Sequence, residues 1–119
     1  MGDYKKHLRI AQEKLKAVRN AFVNDQHTVV GDLATKVIEQ LIEADAAREN
    51  IHFGTHLDRH RFSAARYPEE INVAVKKVWF AYGDLGYDGV NGERAKRVIK
   101  SLDNVVKFFE NSFGEQVEE

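Results

Sequence analysis

The chain's pattern predicts an all-α domain, an antiparallel up-and-down bundle of four long helices. Three observations carry that expectation. Apolar residues recur at steps of three and four along most of the chain, as on one-sided helices. The pattern breaks at residues suited to capping or turning. No stretch alternates apolar with polar residues and β-branched enrichment, as a half-buried strand would.

In the first helix Leu8, Ala11, Leu15, Val18 and Phe22 form one stripe, with Lys5, Arg9, Glu13, Lys16 and Asn20 between them. Asn24-Asp25 interrupts it and offers cap side chains to the second helix. That helix starts near Gln26–Thr28 and carries Val30, Leu33, Val37, Leu41 and Ala44, widened by Ala34, Ile38 and Ile42. So broad an apolar surface predicts more than one neighbour, and with the similarly apolar third helix it leads to the expectation of a homodimer. Periodicity fades after Ala47, and His52 to Tyr67, with Gly54 inside it, reads as an irregular connection or a broken helix.

Pro68 with Glu69-Glu70 marks the third long helix, proline suiting its first position and carboxylates the positive end of its dipole. Ile71, Ala74, Val75, Val78, Trp79, Tyr82 and Leu85 form its face. Gly83, Gly86, Asp88, Gly89 and Gly92 make a loop, and Asn91 is a cap for the last helix. There Ala95, Val98, Ile99, Leu102, Val105, Val106, Phe109 and Phe113 face in, while Arg94, Lys96, Arg97, Lys100, Asp103 and Lys107 face out. Gly114 is placed to end it in a left-handed conformation. The domain is therefore read as residues 1–114, with 115–119 an acidic, frayed tail.

The 119 residues suit one core, and 43% hydrophobic against 31% charged is a globular balance. Lys and Arg number 18 against 19 Asp and Glu, so there is no basic excess to mark a nucleic-acid binder, though a local basic patch is still allowed. Without cysteine there are no disulfides, thiolate metal sites or thiol catalysis. The polar start Met1-Gly2-Asp3-Tyr4-Lys5-Lys6 is no secretory leader, and no apolar run nears the roughly 20 residues that span a bilayer. A cytoplasmic protein with no membrane contact is expected.

The segment 48–67 is the most unusual. It holds His52, His56 and His60 with Arg48, Arg59, Arg61 and Arg66, against Glu49 and Asp58, a local charge of about +2. Three readings compete. As a metal site, the histidines stand at i, i+4 and i+8, with Asp58 able to add an oxygen. Yet i and i+8 lie about 12 Å apart on a helix, beyond the reach of bonds near 2 Å, so at most a pair could share an ion. As an anion or RNA site, Arg48, His56, Arg59, Arg61 and Arg66 would bind phosphate, with Phe53, Phe62 and Tyr67 stacking on bases. Arginine with histidine is also a workable ribonuclease pairing. In the third reading the arginines simply meet helix carboxylates, and this is the commonest fate of such segments.

Elsewhere Asp32 and Asp45 interrupt the apolar face of the second helix, where edge carboxylates are usually solvated. Glu39 and Glu43 lack the Glu-x-x-His partners of a di-iron bundle. The glycine loop lacks the Gly-x-x-x-x-Gly-Lys-Ser/Thr of a phosphate loop. Trp79 with Tyr82 reads as core or dimer interface. No metal and no cofactor is expected.

The order of features resembles HEPN-domain proteins. Leu8-x-x-Ala11 in the first helix is followed by Gly54-Thr55-His56 after the second, then Arg66-Tyr67-Pro68 and the turn Gly83-Asp84-x-Gly86-Tyr87. Glu93-Arg94-Ala95 and a helix ending Val106-Lys107-Phe108-Phe109 complete the series. The resemblance spans nearly the whole chain. It implies a four- or five-helix bundle, often a homodimer, a small nucleotidyltransferase partner as in toxin–antitoxin pairs, and metal-independent endoribonuclease activity in active members. Their signature is Arg, four to six residues, then His, with a polar residue just after the Arg. Arg48 is followed by Glu49, but three residues separate it from His52 and seven from His56. Since a helix turns about 100° per residue, the changed interval rotates the His away. The expectation is thus a non-catalytic HEPN-like domain that self-associates and binds nucleotide, RNA or a partner protein. A variant endoribonuclease using Arg48 with His52 or His56 is one alternative, and a structural subunit without a small-molecule site is the other.

Overall fold

A computed structural model describes residues 2–84 and 93–118, with backbone alone at 2, 56 and 81–84. The fold is all-helical among these residues. In chain order the helices are α1 (Gly2–Val23), α2 (His27–Ala47), α3 (His56–Arg66), α4 (Glu69–Asp84) and α5 (Glu93–Phe113). No helix of the described residues is long and apolar enough to cross a membrane.

α1 buries Leu8, Ala11, Leu15, Val18 and Ala21 and exposes the charged residues between them. Asn24-Asp25 closes this helix instead of capping the next. Asn24 returns both its backbone N–H and its side-chain amide to the Asn20 carbonyl, and Asp25 takes a left-handed φ of 56°. Short polar side chains tolerate that region better than most. The residue before α2 is Gln26, whose side chain makes no capping bond.

α2 is the central element, packed against α1, α3, α4 and α5. Val30, Ala34, Val37, Ile38, Leu41, Ile42 and Ala44 are fully buried by those neighbours. Its breadth of apolar surface is therefore taken up inside one chain, and the argument from that breadth to a homodimer falls away.

The stretch read as irregular resolves into a connection at 48–55 and the helix α3. Thr55 caps it, its hydroxyl accepting the Asp58 N–H at 3.1 Å. Thr55-x-x-Asp58 is a capping signal in its own right. Tyr67 then adopts an extended conformation, as a residue before proline prefers. The Pro68 carbonyl accepts the N–H groups of Ile71 and Asn72 at 3.0 Å, which starts α4. Gly83 falls within α4, whereas Leu85, Gly86, Tyr87, Asp88, Gly89, Asn91 and Gly92 lie outside the described residues.

α5 runs opposite to α1, with Tyr4 edge-on to Phe113 and Arg19 bonded to Asp103. Its inward face buries Ala95, Val98, Leu102, Val105, Val106 and Phe109. Gly114 ends it at φ 68°, as expected. Residues 115–118, read as frayed, instead lie against α1 with Val117 only 1% exposed. An aromatic line runs through the core, Phe62 to Tyr67 to Phe109 to Phe113 to Tyr4, at successive ring separations of 6.1, 5.2, 5.4 and 5.3 Å.

Candidate functional site

The arginines of residues 48–67 divide into those turned inward and one turned outward. Asp45 decides the first group. It sits on the last turn of α2, only 1% exposed, where desolvation would make an unpaired carboxylate costly. Four bonds converge on it. Arg48 Nη2 donates at 2.7 Å, Arg66 Nε and Nη2 donate at 2.8 and 3.4 Å, and the Tyr67 hydroxyl donates at 2.6 Å. The helix places Arg48 one turn beyond Asp45 on the same face, while Pro68 holds Tyr67 extended so that its ring enters the core. Edge carboxylates are usually solvated, but this one is the anchor of the α2, α3 and α5 junction.

Other donors of the two arginines are also engaged. Arg48 reaches the Ser112 carbonyl and hydroxyl at 3.3 Å and covers the Phe113 ring at 4.7 Å. Arg66 bonds Glu49 at 3.0 Å and covers Phe62. Burial works against the Arg66 charge, yet the bonds to Glu49 and Asp45 together leave its pKa raised. Burial, then the bond to Asp45, drives the Tyr67 hydroxyl far above the usual phenol range. Arg59 belongs to the same pattern, donating to Glu43 at 3.0 Å with Glu39 at 3.8 Å. The surplus charge of residues 48–67 is thus balanced mainly by carboxylates on α2.

His52 and His60 have separate partners. His52 lies before α3, its Nε2 3.6 Å from Asp3 of α1, so the i, i+4, i+8 alignment does not form. His60 packs edge-on against Trp79 at 4.1 Å. The His56 side chain lies outside the described residues. No group of three His, Asp or Glu side chains among the described residues is placed to hold a metal ion. Trp79 is partly buried against the core, while the side chain of Tyr82 is also outside the description.

Arg61 is the arginine that faces outward, on a cavity of about 250 Å³ between α3 and α4 that is also lined by His60, Lys76 and Trp79. The two helices are stitched there by Ser63, which donates to Asn72 at 2.9 Å, and by Asn72, which donates to the Tyr67 carbonyl at 3.0 Å. On the other side of α4 lies a larger concavity of about 640 Å³, lined by Lys77, Phe80, Arg94, Arg97, Val98, Lys100, Ser101 and Asn104. None of these lining residues is acidic. Phe80 is 74% exposed and lines this concavity with the cations.

The sequence reading did not single out this face. One signal for it is that Phe80 falls off the buried stripe of Ile71, Ala74, Val75 and Val78, roughly opposite Val78 at about 100° per residue. Another is that the outward cations of α5 continue those of α4. Chemically, cations around an exposed ring can hold phosphate groups and stack on a base. Comparison with protein-family models, curated proteins and solved structures finds no match.

Proposed function

We propose that the chain is a non-catalytic, HEPN-like up-and-down helical bundle that binds single-stranded RNA through the α4–α5 face. The observation that carries the reading is the concavity lined by Lys77, Arg97, Lys100 and the exposed Phe80, with no carboxylate among its described lining residues. Single-stranded nucleic acid is held by such pairings of basic groove and aromatic platform, since the cations track phosphates while a ring stacks on any base. Arg61 and Lys76 extend the basic surface across α4 toward α3.

The non-catalytic half rests on the placement of the Arg/His candidates. Arg48 is committed to Asp45 and Ser112, and His52 sits beside Asp3 of α1. A ribonuclease pair would need both side chains within hydrogen-bond reach of one phosphodiester.

The test is fluorescence anisotropy with a labelled single-stranded RNA of mixed sequence at low salt. Saturable binding is expected, weakened at least tenfold by Lys77→Glu, Arg97→Glu and Lys100→Glu together. Absence of binding by the wild-type chain would refute the reading, as would retention by the triple variant. RNA incubated with the wild-type chain in EDTA should remain intact, and cleavage lost in Arg48→Ala would establish the enzyme alternative.

A further inference from the structure

The outer face of α4 is not polar throughout. Val73 is 43% and Phe80 74% exposed, and seven residues of helix bring them to within about 20° of each other around its axis. They form a crest. Lys76 leaves the helix about 40° to one side of Phe80, and Lys77 about 60° to the other. Lys76 accordingly lines the cavity toward α3, and Lys77 the concavity toward α5. No carboxylate is among the described lining residues of either, while Glu69 and Glu70 stand in the first turn of α4. Between Lys76 and Phe80, α4 is therefore a basic ridge with a hollow on each side.

The two hollows suit different parts of a strand. The α3–α4 cavity, about 250 Å³ against about 640 Å³, falls just below the roughly 300–1,000 Å³ of sites for drug-sized ligands. It has room for one nucleotide and not for a run of them. Its lining suits a base. Trp79 is partly buried and packed edge-on with His60 at 4.1 Å, and Ala64 and Val75 add apolar surface. Its cations suit a phosphate, for Arg61 from α3 and Lys76 from α4 are both exposed there. A guanidinium forks onto phosphate oxygens, and an ammonium meets them as a point charge. The bond from Ser63 to Asn72, and from Asn72 to the Tyr67 carbonyl, holds the two helices apart at a fixed distance, so the cavity is formed before any ligand arrives.

Building on RNA binding by the α4–α5 face, on which this inference rests, we infer that the strand continues over the crest of α4 and seats one nucleotide in the α3–α4 cavity. Its base lies against Trp79, and its phosphate is held by Arg61 and Lys76. A helix with its side chains is about 10–12 Å across, a width that an extended strand covers in a few nucleotides. Phe80 and Lys76 stand along that crossing.

Trp79 is the only tryptophan in the chain, so its intrinsic fluorescence reports on the cavity directly. The test titrates the full chain at low salt with oligouridylate of about twelve nucleotides, within the range of single-strand site sizes, and of about three. Affinity is read by anisotropy of the labelled strand and cavity occupancy by Trp79 emission. With the longer strand, emission should change saturably at the midpoint that anisotropy gives. Arg61→Glu with Lys76→Glu, both at exposed positions and checked for helicity by circular dichroism, should abolish that change and weaken the longer strand at least fivefold. The same variant should leave the affinity of the shorter strand, which the α4–α5 face accommodates alone, within twofold. Binding of the longer strand with unchanged Trp79 emission overturns the inference and leaves the α4–α5 reading standing. Full affinity in the double variant does the same, as does an equal loss for both lengths, the mark of a general charge effect. No binding of either strand to the wild-type chain overturns both.

Discussion

Replacing Asp45 with asparagine keeps the shape of the side chain and deletes its charge. The Arg48 and Arg66 guanidiniums lose the carboxylate they share, while the Tyr67 hydroxyl keeps an amide oxygen to donate to. Removing one partner of a buried ion pair costs about 3–5 kcal/mol. Two features reduce that here. Both arginine side chains are a third exposed and can take up water, and Arg66 retains Glu49. The expected loss is therefore about 2–3 kcal/mol. At 0.05–0.15 kcal/mol per residue the whole chain has roughly 6–18 kcal/mol of stability, so the variant should fold with a melting temperature lower by about 8–12 °C. Urea and thermal unfolding followed by circular dichroism at pH 7 measure it. A loss under about 0.5 kcal/mol, the range of an exposed pair, would refute the claim that Asp45 organises this junction.

Arg48→Ala should cost about 1–3 kcal/mol of stability yet leave RNA affinity within twofold, because its guanidinium faces Asp45 and Ser112 and not the α4–α5 face. Anisotropy titrations at a temperature where the variant is folded check this. Alkali should destabilise the chain. Burial and then the bonds to Asp45 and Glu115 raise the pKa of Tyr67 and push Tyr4 up to about 12, so the unfolded chain releases these protons first. Their stabilising effect is complete below the ordinary tyrosine value near 10 and is lost as pH rises beyond it, and a urea midpoint unchanged between pH 8 and 11 would contradict this. Acid should loosen residues 115–118. The bond from Arg19 holds the Glu118 carboxyl below its usual range, so its contribution is present above the ordinary glutamate value near 4.3 and disappears as pH falls through the lowered one. Loss of the docked Val117 amide signal in that window, before the far-ultraviolet signal of the helices, is the expected sequence of events.

The helices were legible because each carries a stripe that a neighbour buries, and α5 in particular reads as one-sided from Ala95 to Phe109. Three elements were hidden for physical reasons. α3 has a short, strongly polar sequence whose stability comes from the Thr55 cap and the Arg59–Glu43 tie, neither of which shows as periodicity. Asp45 looked like a solvated edge residue because its partners Arg66 and Tyr67 are 21 and 22 positions away, and only the fold brings them to it. Residues 115–118 looked frayed because acidic composition outweighed one valine, whereas Arg19, Glu110 and Gln12 supply the complementary groups from elsewhere. The same long-range pairing redirects the functional reading. The arginines conspicuous in sequence are mostly turned toward α2, and the less conspicuous Lys77, Arg97 and Lys100 line one concavity with Phe80.

The salt dependence of RNA binding tests that redistribution most directly. Each phosphate held by a cation on a single strand contributes about −0.7 to the slope of log affinity against log salt concentration. With Lys77, Arg97 and Lys100 in contact the wild-type slope should be about −2 or steeper, and Lys77→Glu with Arg97→Glu and Lys100→Glu should flatten it by about 2. Arg48→Ala should leave it unchanged. A slope unaffected by the triple substitution, or one that flattens in Arg48→Ala, would contradict the assignment of binding to the α4–α5 face.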